Sequence, residues 1–272
     1  MNFLYFQPEP KAQNDSQPPP PSKHGCPPQV EHILIIDLKS GWWEGDGGAT
    51  FSNIQNYILT TCNKVTIEYG HMTTVEDGNG AASSFPSLPF SSYDEIWVLS
   101  GASTDSEDLR LDSPTFLRFL NGITSTNANL FLGAGYGTTY HINAITSALG
   151  LGDLVNPGAS NDLVFLHGSG GDVIIPTSQI TNLPSNNLFA NVASLPDLVN
   201  VNGSIMVPDQ LMSSPSLTPL ITNSSGVTEV GSITLSNRTI IMDTDLPRMY
   251  LILNSDTNVR NYIVNLITAL EK

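Results

Sequence analysis

Residues 129–150, NLFLGAGYGTTYHINAITSALG, constrain the fold of this chain more than any other stretch. The apolar residues Leu130, Phe131 and Leu132 are followed directly by Gly-Ala-Gly-Tyr-Gly, and apolar residues at helical spacing come next. Glycines permit a strained turn and a close approach of helix to strand, because they lack a Cβ. The stretch therefore predicts a buried strand that turns sharply into a helix, with Gly135 at the turn.

Apolar runs and helical patterns alternate on both sides of this stretch. The predicted strands cover residues 32–37, 65–69, 96–99, 129–132, 233–235, 239–242 and 250–253. The predicted helices cover residues 50–63, 109–123, 141–149 and 258–270. Because strands that alternate with helices form parallel sheets covered on both faces, we expect an α/β sandwich with right-handed crossovers.

The start of the chain is predicted to lie outside the folded domain. Residues 1–30 include four consecutive prolines, and this composition favours an extended or disordered tail. We expect residues 8–29 to make few contacts, so that deletion of residues 1–29 leaves the melting temperature nearly unchanged. The remaining residues, 31–272, are predicted to form one domain, with a loop-rich insertion around 151–231.

The two cysteines, Cys26 and Cys62, are too few for a disulfide framework or a cysteine-rich zinc site. Because Cys26 falls in the predicted tail and Cys62 at the end of a predicted helix, we expect two unpaired thiols.

Acidic residues outnumber basic residues by 25 to 10, which gives a formal net charge of −15. Such a charge argues against nucleic acid or an anionic membrane as the partner, and it is compatible with cations, neutral sugars or proteins. No apolar run approaches the roughly 20 residues of a membrane span, so we expect no membrane insertion. The low lysine content and uncharged polar loops favour an exported bacterial protein, periplasmic or extracellular rather than cytoplasmic.

The glycine string resembles a known catalytic turn. Gly133-Ala134-Gly135-Tyr136-Gly137 is similar to the Gly-x-Cys-Tyr-Gly nucleophile elbow of the class I glutamine amidotransferases, and the position of their nucleophilic cysteine falls on Gly135. The resemblance implies a flavodoxin-like three-layer sandwich with a mostly parallel central sheet.

Further segments carry the same resemblance. Val98-Leu99-Ser100-Gly101 resembles the strand that leads to the glycine whose amide helps to stabilise the oxyanion. Residues 238–245 resemble the late strand that ends in the family's His-x-Glu pair, but here the strand ends in Asp243-Thr244-Asp245, without a histidine. Residues 180–184, 217–220 and 258–270 are similar to the non-catalytic, ThuA-like and gliding- or transport-associated branch of this superfamily.

The resemblance implies a cleft that has lost its chemistry. Amide hydrolysis by this family needs a thiol, a base and an orienting acid together, and Gly135 offers no nucleophile. We therefore expect a non-catalytic binding or scaffolding domain that recognises a glycan or protein partner and does not hydrolyse glutamine. The residues expected at this pseudo-active site are Asp37, Ser100, Gly101, Gly135, Tyr136, Asp243 and Asp245.

Two other interpretations of the same residues stay open. Asp37, Asp243 and Asp245 follow strand ends, where oxygen ligands could hold a divalent cation such as Mg²⁺ or Ca²⁺; no other cofactor is expected. The alternative function is accordingly a hydrolase of sugars or peptides, assisted by a metal held within about 5 Å of all three carboxylates. Trp42 and Trp43, in a glycine-rich loop, are candidates for stacking on a sugar ring or anchoring a protein partner.

Overall fold

The computed structural model describes residues 26–38, 50–72, 86–100, 111–134, 139–156, 174–200, 210–223, 226–246, 248–249, 253 and 255–271. The strands are β1 (Glu31–Leu38), β2 (Val65–Met72), β3 (Glu95–Ser100), β4 (Asn129–Ala134), β5 (Val155–Asn156), β6 (Ile174–Ile180), β7 (Leu195–Asn200), β8 (Gln210–Leu211), β9 (Thr218–Thr222), β10 (Thr228–Leu235) and β11 (Arg238–Asp243). The helices are α1 (Thr50–Thr61), α2 (Pro114–Thr124), α3 (Thr139–Ala148) and α4 (Thr257–Leu270).

The central sheet has the order β2-β1-β3-β4-β11-β10-β9. The first five strands run parallel, and β10 and β9 continue the sheet in antiparallel pairing. If β11 is counted as the fifth strand, the parallel part has the order 2-1-3-4-5 of flavodoxin-like folds. The predicted fold class, a flavodoxin-like α/β sandwich with a mostly parallel sheet, is confirmed.

Apolar side chains cover both faces of the sheet, which makes the architecture three-layered. On one face, Ile33, Trp97 and Phe131 pack in the same cluster as residues of α1 and α4. On the other face, residues such as Leu34 and Leu130 pack in the same cluster as residues of α2 and α3. Runs that are apolar at every position suit strands buried on both faces.

The strand that opens the glycine-rich stretch, β4, lies inside the sheet, which agrees with the prediction of a buried strand. β4 pairs in parallel with β3 on one side and with β11 on the other. Gly133, near the end of β4, leaves room for two neighbouring side chains. A Cβ at this position would come within 2.8 Å of Leu246 Cδ1 and 3.3 Å of the Phe131 ring. The absent side chain thus lets the segment after β11 pack against the end of β4, where Leu246 N donates to Ala134 O at 3.0 Å.

The helix starts have local causes. The Ser113 hydroxyl accepts from Phe116 N, and Pro114 occupies the first turn of α2, where its missing N–H is harmless. Asp256 caps α4 by accepting from the amides of Asn258 and Val259. The predicted helix at residues 109–123 begins only at Pro114, because Ser113 caps it and Pro114 occupies its first turn.

Cys26 and Cys62 form a disulfide, with Cα atoms 5.3 Å apart, so the prediction of two unpaired thiols is wrong. The prediction that residues 8–29 make few contacts is also wrong for their last part. Lys64 Nζ donates to Pro28 O, and Cys26 packs against the core cluster that contains Cys62. Cys26 can reach Cys62, which directly follows α1, because the chain between them runs out along β1 and comes back along α1.

Residues 151–231, predicted as a loop-rich insertion, contain two small sheets, β5–β8 and β6–β7, as well as the edge strand β9. A 3-10 turn, Asn187–Phe189, lies in this segment and packs on α4. Three asparagine side chains of α4 form hydrogen bonds with the backbone of this segment. Asn265 Nδ2 donates to Leu188 O and Ala190 O. Asn261 Nδ2 donates to Asn191 O, and Asn258 Oδ1 accepts from Ala193 N. The segment is therefore tied to the sandwich by side-chain to backbone hydrogen bonds.

Candidate functional site

The carboxyl ends of the parallel strands form the edge at which ligands bind in doubly wound sheets. One row of paired residues crosses this edge: Asp37 on β1, Leu99 on β3, Gly133 on β4 and Asp243 on β11. Paired residues in such a row project to the same face of the sheet, here the face covered by α1 and α4. The row places Asp37 and Asp243 on one face but with two strands between them.

The Asp37 carboxylate accepts a hydrogen bond from a side chain of the neighbouring strand β2. Its Oδ2 accepts a hydrogen bond of 2.8 Å from the Tyr69 hydroxyl on β2, and the Asp37 residue is only 1% exposed. Burial of the phenol, together with the negative charge of Asp37 and this hydrogen bond, raises the Tyr69 pKa. Tyr69 therefore stays a neutral donor at physiological pH, and Asp37 is an acceptor.

Ser100 belongs to the other face of the sheet. It is fully buried at the end of β3, where it pairs with Leu38 and Ala134, one residue on from the row that holds Asp37. Because successive side chains of a strand alternate between faces, the Ser100 hydroxyl and the Asp37 carboxylate lie on opposite sides. The structure does not bring these two predicted site residues together.

The end of β11 holds a buried ion-pair network that the sequence patterns did not predict. Arg248 is fully buried, and its Nη2 lies 2.5 Å from Glu229 Oε2 and 3.1 Å from Asp245 Oδ2. Its Nε lies 3.7 Å from Asp243 Oδ1 and donates to Asp245 O at 3.2 Å. One guanidinium therefore faces three carboxylates, and we call this group the Arg248 network.

Neighbouring groups add further hydrogen bonds to the carboxylates of the Arg248 network. The Tyr262 hydroxyl on α4 donates to Asp243 Oδ2 at 3.0 Å, and Asn223 Nδ2 donates to Glu229 Oε1 at 2.7 Å. Asp243 Oδ1 also accepts from Asp245 N at 2.9 Å. These bonds engage both oxygens of Asp243 and of Glu229, which is what a buried carboxylate requires.

Electrostatics keep the network's donors protonated. Burial disfavours the charged form of Arg248, but the carboxylates of Asp243, Asp245 and Glu229 more than offset it and raise the Arg248 pKa well above its usual value. Burial and the charge of Asp243 raise the pKa of the Tyr262 hydroxyl. Neither group is placed to act as a base, and Asp243 and Asp245 are buried, at 0% and 2% exposure.

The proposed three-carboxylate cation site is not assembled. Asp37 and Asp243 are three strand spacings apart, which is about 14 Å between their Cα atoms at the usual spacing of paired strands. Asp243 and Asp245 face Arg248 instead. In the part of the chain that the structure describes, no group of three or more His, Cys, Asp or Glu side chains could hold a metal ion.

His141, the histidine nearest the glycine-rich turn, is a packing residue. It is 3% exposed on α3, with its ring 5.3 Å from the Phe116 ring and 4.3 Å from the Tyr140 ring, centroid to centroid. Its contact with Phe116 of α2, a residue of the core cluster on the α2 and α3 side of the sheet, places it on the face opposite Asp243. Gly101, Gly135, Tyr136, Trp42 and Trp43 lie outside the described residues, and their predicted roles stay predictions.

Sequence reasoning missed Glu229, Arg248 and Tyr262. A faint signal exists for Arg248, because an arginine three residues after an Asp-x-Asp strand end is placed to pair with those carboxylates. Nothing local marks Glu229 or Tyr262, which reach the network through β10–β11 pairing and the docking of α4.

The chain matches no family model and no curated protein. Among solved structures, it is similar to a protein from Thermoplasma acidophilum that is assigned as a component of GMP synthase. The two are 11% identical and align over 89% of this chain and 96% of that chain, with a TM-score of 0.44. Among the described helices, none is both long and apolar enough to cross a membrane.

Proposed function

We propose that this chain is a non-catalytic binding or scaffolding domain, built on a degenerate class I amidotransferase-like fold, that recognises a glycan or a protein. The observation that carries the proposal is the Arg248 network. Asp243 and Asp245, at the strand end where that family has its His-x-Glu pair, are buried and engaged by a guanidinium, so they supply neither a base nor an orienting acid.

The sequence of the glycine-rich turn supports the same proposal. Gly135 stands where the family has its nucleophilic cysteine, and a residue without a side chain cannot form a covalent intermediate. The likeness of residues 180–184, 217–220 and 258–270 to the ThuA-like and gliding- or transport-associated branch favours a binding role within this superfamily.

The alternative, a metal-assisted hydrolase of sugars or peptides, is less well supported. It needs Asp37, Asp243 and Asp245 around one ion, and the strand order separates the first from the other two. An acidic binding domain also fits partners other than nucleic acid, since its net charge of −15 repels polyanions.

The disulfide supports an extracytoplasmic location for this function. Cys26–Cys62 joins residues 36 apart in sequence, and such bonds persist in oxidising compartments rather than in the cytosol. We therefore place the proposed binding function in the periplasm or outside the cell.

Binding is tested with the full chain on an array of neutral oligosaccharides, beside a variant in which both Trp42 and Trp43 are alanine. We expect the wild type to bind a defined set of sugars and the double variant to lose that binding at least tenfold, because stacking of the indole rings on sugar rings carries the contact. Trp97 is kept in both proteins as a buried internal control for folding.

Hydrolase activity is the outcome that would contradict the binding proposal. Chromogenic glycosides and fluorogenic peptides are offered with Mg²⁺, with Ca²⁺ and with a chelator. Turnover that depends on the cation and disappears in Asp37→Asn would establish the hydrolase and overturn the binding proposal.

A further inference from the structure

A second group of buried carboxyls lies at the opposite edge of the sheet, away from the Arg248 network. Glu95, at the start of β3, is fully buried, and Glu31, at the start of β1, is 2% exposed. Ile33 pairs with Glu95, so Glu31 and Glu95 project to the same face, one pleat apart on neighbouring strands. That face is covered by α4, whose last residue, Leu270, accepts from Asn129 Nδ2.

The surroundings of Glu95 are unsuited to a negative charge. Among the described residues, the charged groups that act on it are the carboxylates of Glu31 on β1, Asp94 just before β3 and Glu271 just after α4. The carboxyl end of a helix such as α4 also carries a partial negative charge. From β4, the facing residue is the uncharged Asn129. The ammonium of nearby Lys64 is exposed and donates to Pro28 O instead.

The hydrogen bonds of Glu95 are incomplete for a carboxylate. Its Oε2 accepts from Trp97 Nε1 at 2.7 Å, but no donor among the described residues reaches Oε1. A buried carboxylate with one oxygen unbonded and no cation beside it, as Glu95 is among the described residues, is strongly disfavoured, whereas a carboxylic acid in the same place removes the charge. Burial accordingly raises the Glu95 pKa well above its usual value; the Trp97 bond opposes this, and the charges of Glu31, Asp94 and Glu271 add to it.

We infer that Glu95 is a proton-binding site of the folded protein, occupied at neutral pH, and that it makes the stability of this sheet edge pH-sensitive. Unfolding exposes the carboxyl to water, where it ionises at about pH 4.3. Between that pH and the raised folded-state pKa, the folded state therefore holds one more proton than the unfolded state. The stability of the fold falls as the pH rises through this window because of Glu95, and this penalty is absent below the window.

The direct test is infrared difference spectroscopy of the full chain at pH 7, in the region of the carboxylic acid C=O stretch. Wild type minus Glu95→Gln is expected to show a protonated carboxyl band, and Glu31→Gln is expected to keep that band. The inference is overturned if the wild type lacks the band, or if the band disappears in Glu31→Gln and persists in Glu95→Gln.

A second measurement gives the energetic consequence. Urea unfolding of wild type and Glu95→Gln is compared from pH 5 to pH 9. Inside the window, we expect the folding equilibrium constant of the wild type to fall about tenfold per pH unit relative to that of Glu95→Gln. This is the slope that one proton produces. Since all other groups are shared, parallel pH profiles would mean that Glu95 holds no extra proton in the folded state.

Discussion

Replacing Arg248 with methionine is expected to lower the free energy of unfolding by about 3–5 kcal/mol at pH 7, the usual effect of removing one partner of a buried ion pair. The variant leaves Glu229, Asp243 and Asp245 buried without their cation. Urea or thermal unfolding measures the loss.

The pH dependence and matched variants identify the cause. Without the guanidinium, burial favours the protonated carboxyls, so the deficit of Arg248→Met relative to wild type is expected to shrink as the pH falls towards 4. Adding Glu229→Gln to Arg248→Met removes one uncompensated charge and is expected to restore part of the stability. Arg118→Met, on the exposed surface of α2, is the control and is expected to stay within about 0.5 kcal/mol of wild type. A change of under about 1 kcal/mol in Arg248→Met would mean that the network does not anchor the end of β11.

Removing the disulfide is the second change with a large expected effect. Cys26→Ser with Cys62→Ser opens a covalent loop of 36 residues, and loop-closure entropy gives about 4 kcal/mol for a loop of that size. We expect the double variant, and the reduced wild type, to lose roughly this much free energy of unfolding in urea.

Truncations separate the disulfide from the rest of the tail. Deletion of residues 1–25 keeps Cys26 and is expected to leave the melting temperature nearly unchanged, whereas deletion of residues 1–29 removes Cys26 and is expected to lower it by many degrees. A reducing agent should have no effect on the double serine variant. Equal melting temperatures for the two truncations would show that the Cys26–Cys62 bond contributes little.

The fold class followed from local patterns because each buried strand is short and apolar throughout. Residues 32–37, 96–99 and 129–132 read as strands from sequence alone, and the helices between them required right-handed crossovers to a parallel sheet. The antiparallel extension through β10 and β9 did not follow, because β9 is short, contains Pro219 and has no clear alternation.

The Arg248 network could not be predicted, because its members come from distant parts of the chain. Glu229 reaches it through the β10–β11 register, in which Val230 pairs with Asp243, and Tyr262 reaches it through the packing of α4. The sequence identified Asp243 and Asp245 as candidates because they follow a strand. Its one faint sign of a pairing guanidinium was an arginine, Arg248, three residues after Asp245.

The buried carboxyl of Glu95 was missed for a related reason. The residues Tyr-Asp-Glu-Ile-Trp resemble a polar approach to a strand, and burial of Glu95 depends on the closing helix, which ends over the sheet edge only in the folded chain. The disulfide escaped prediction in the same way, since one of its cysteines lies in a stretch with no structural pattern of its own.

Ammonia release from glutamine tests most directly whether the strand ends of this domain have lost their chemistry. The assay compares the wild type with Gly135→Cys, which introduces only a thiol. We expect neither protein to release ammonia beyond a trace above buffer, because no histidine follows β11 to generate a thiolate and Asp243 and Asp245 are bound to Arg248. Robust turnover by the wild type would contradict the account, since it would require a nucleophile and a base that Gly135 and the Arg248 network do not provide.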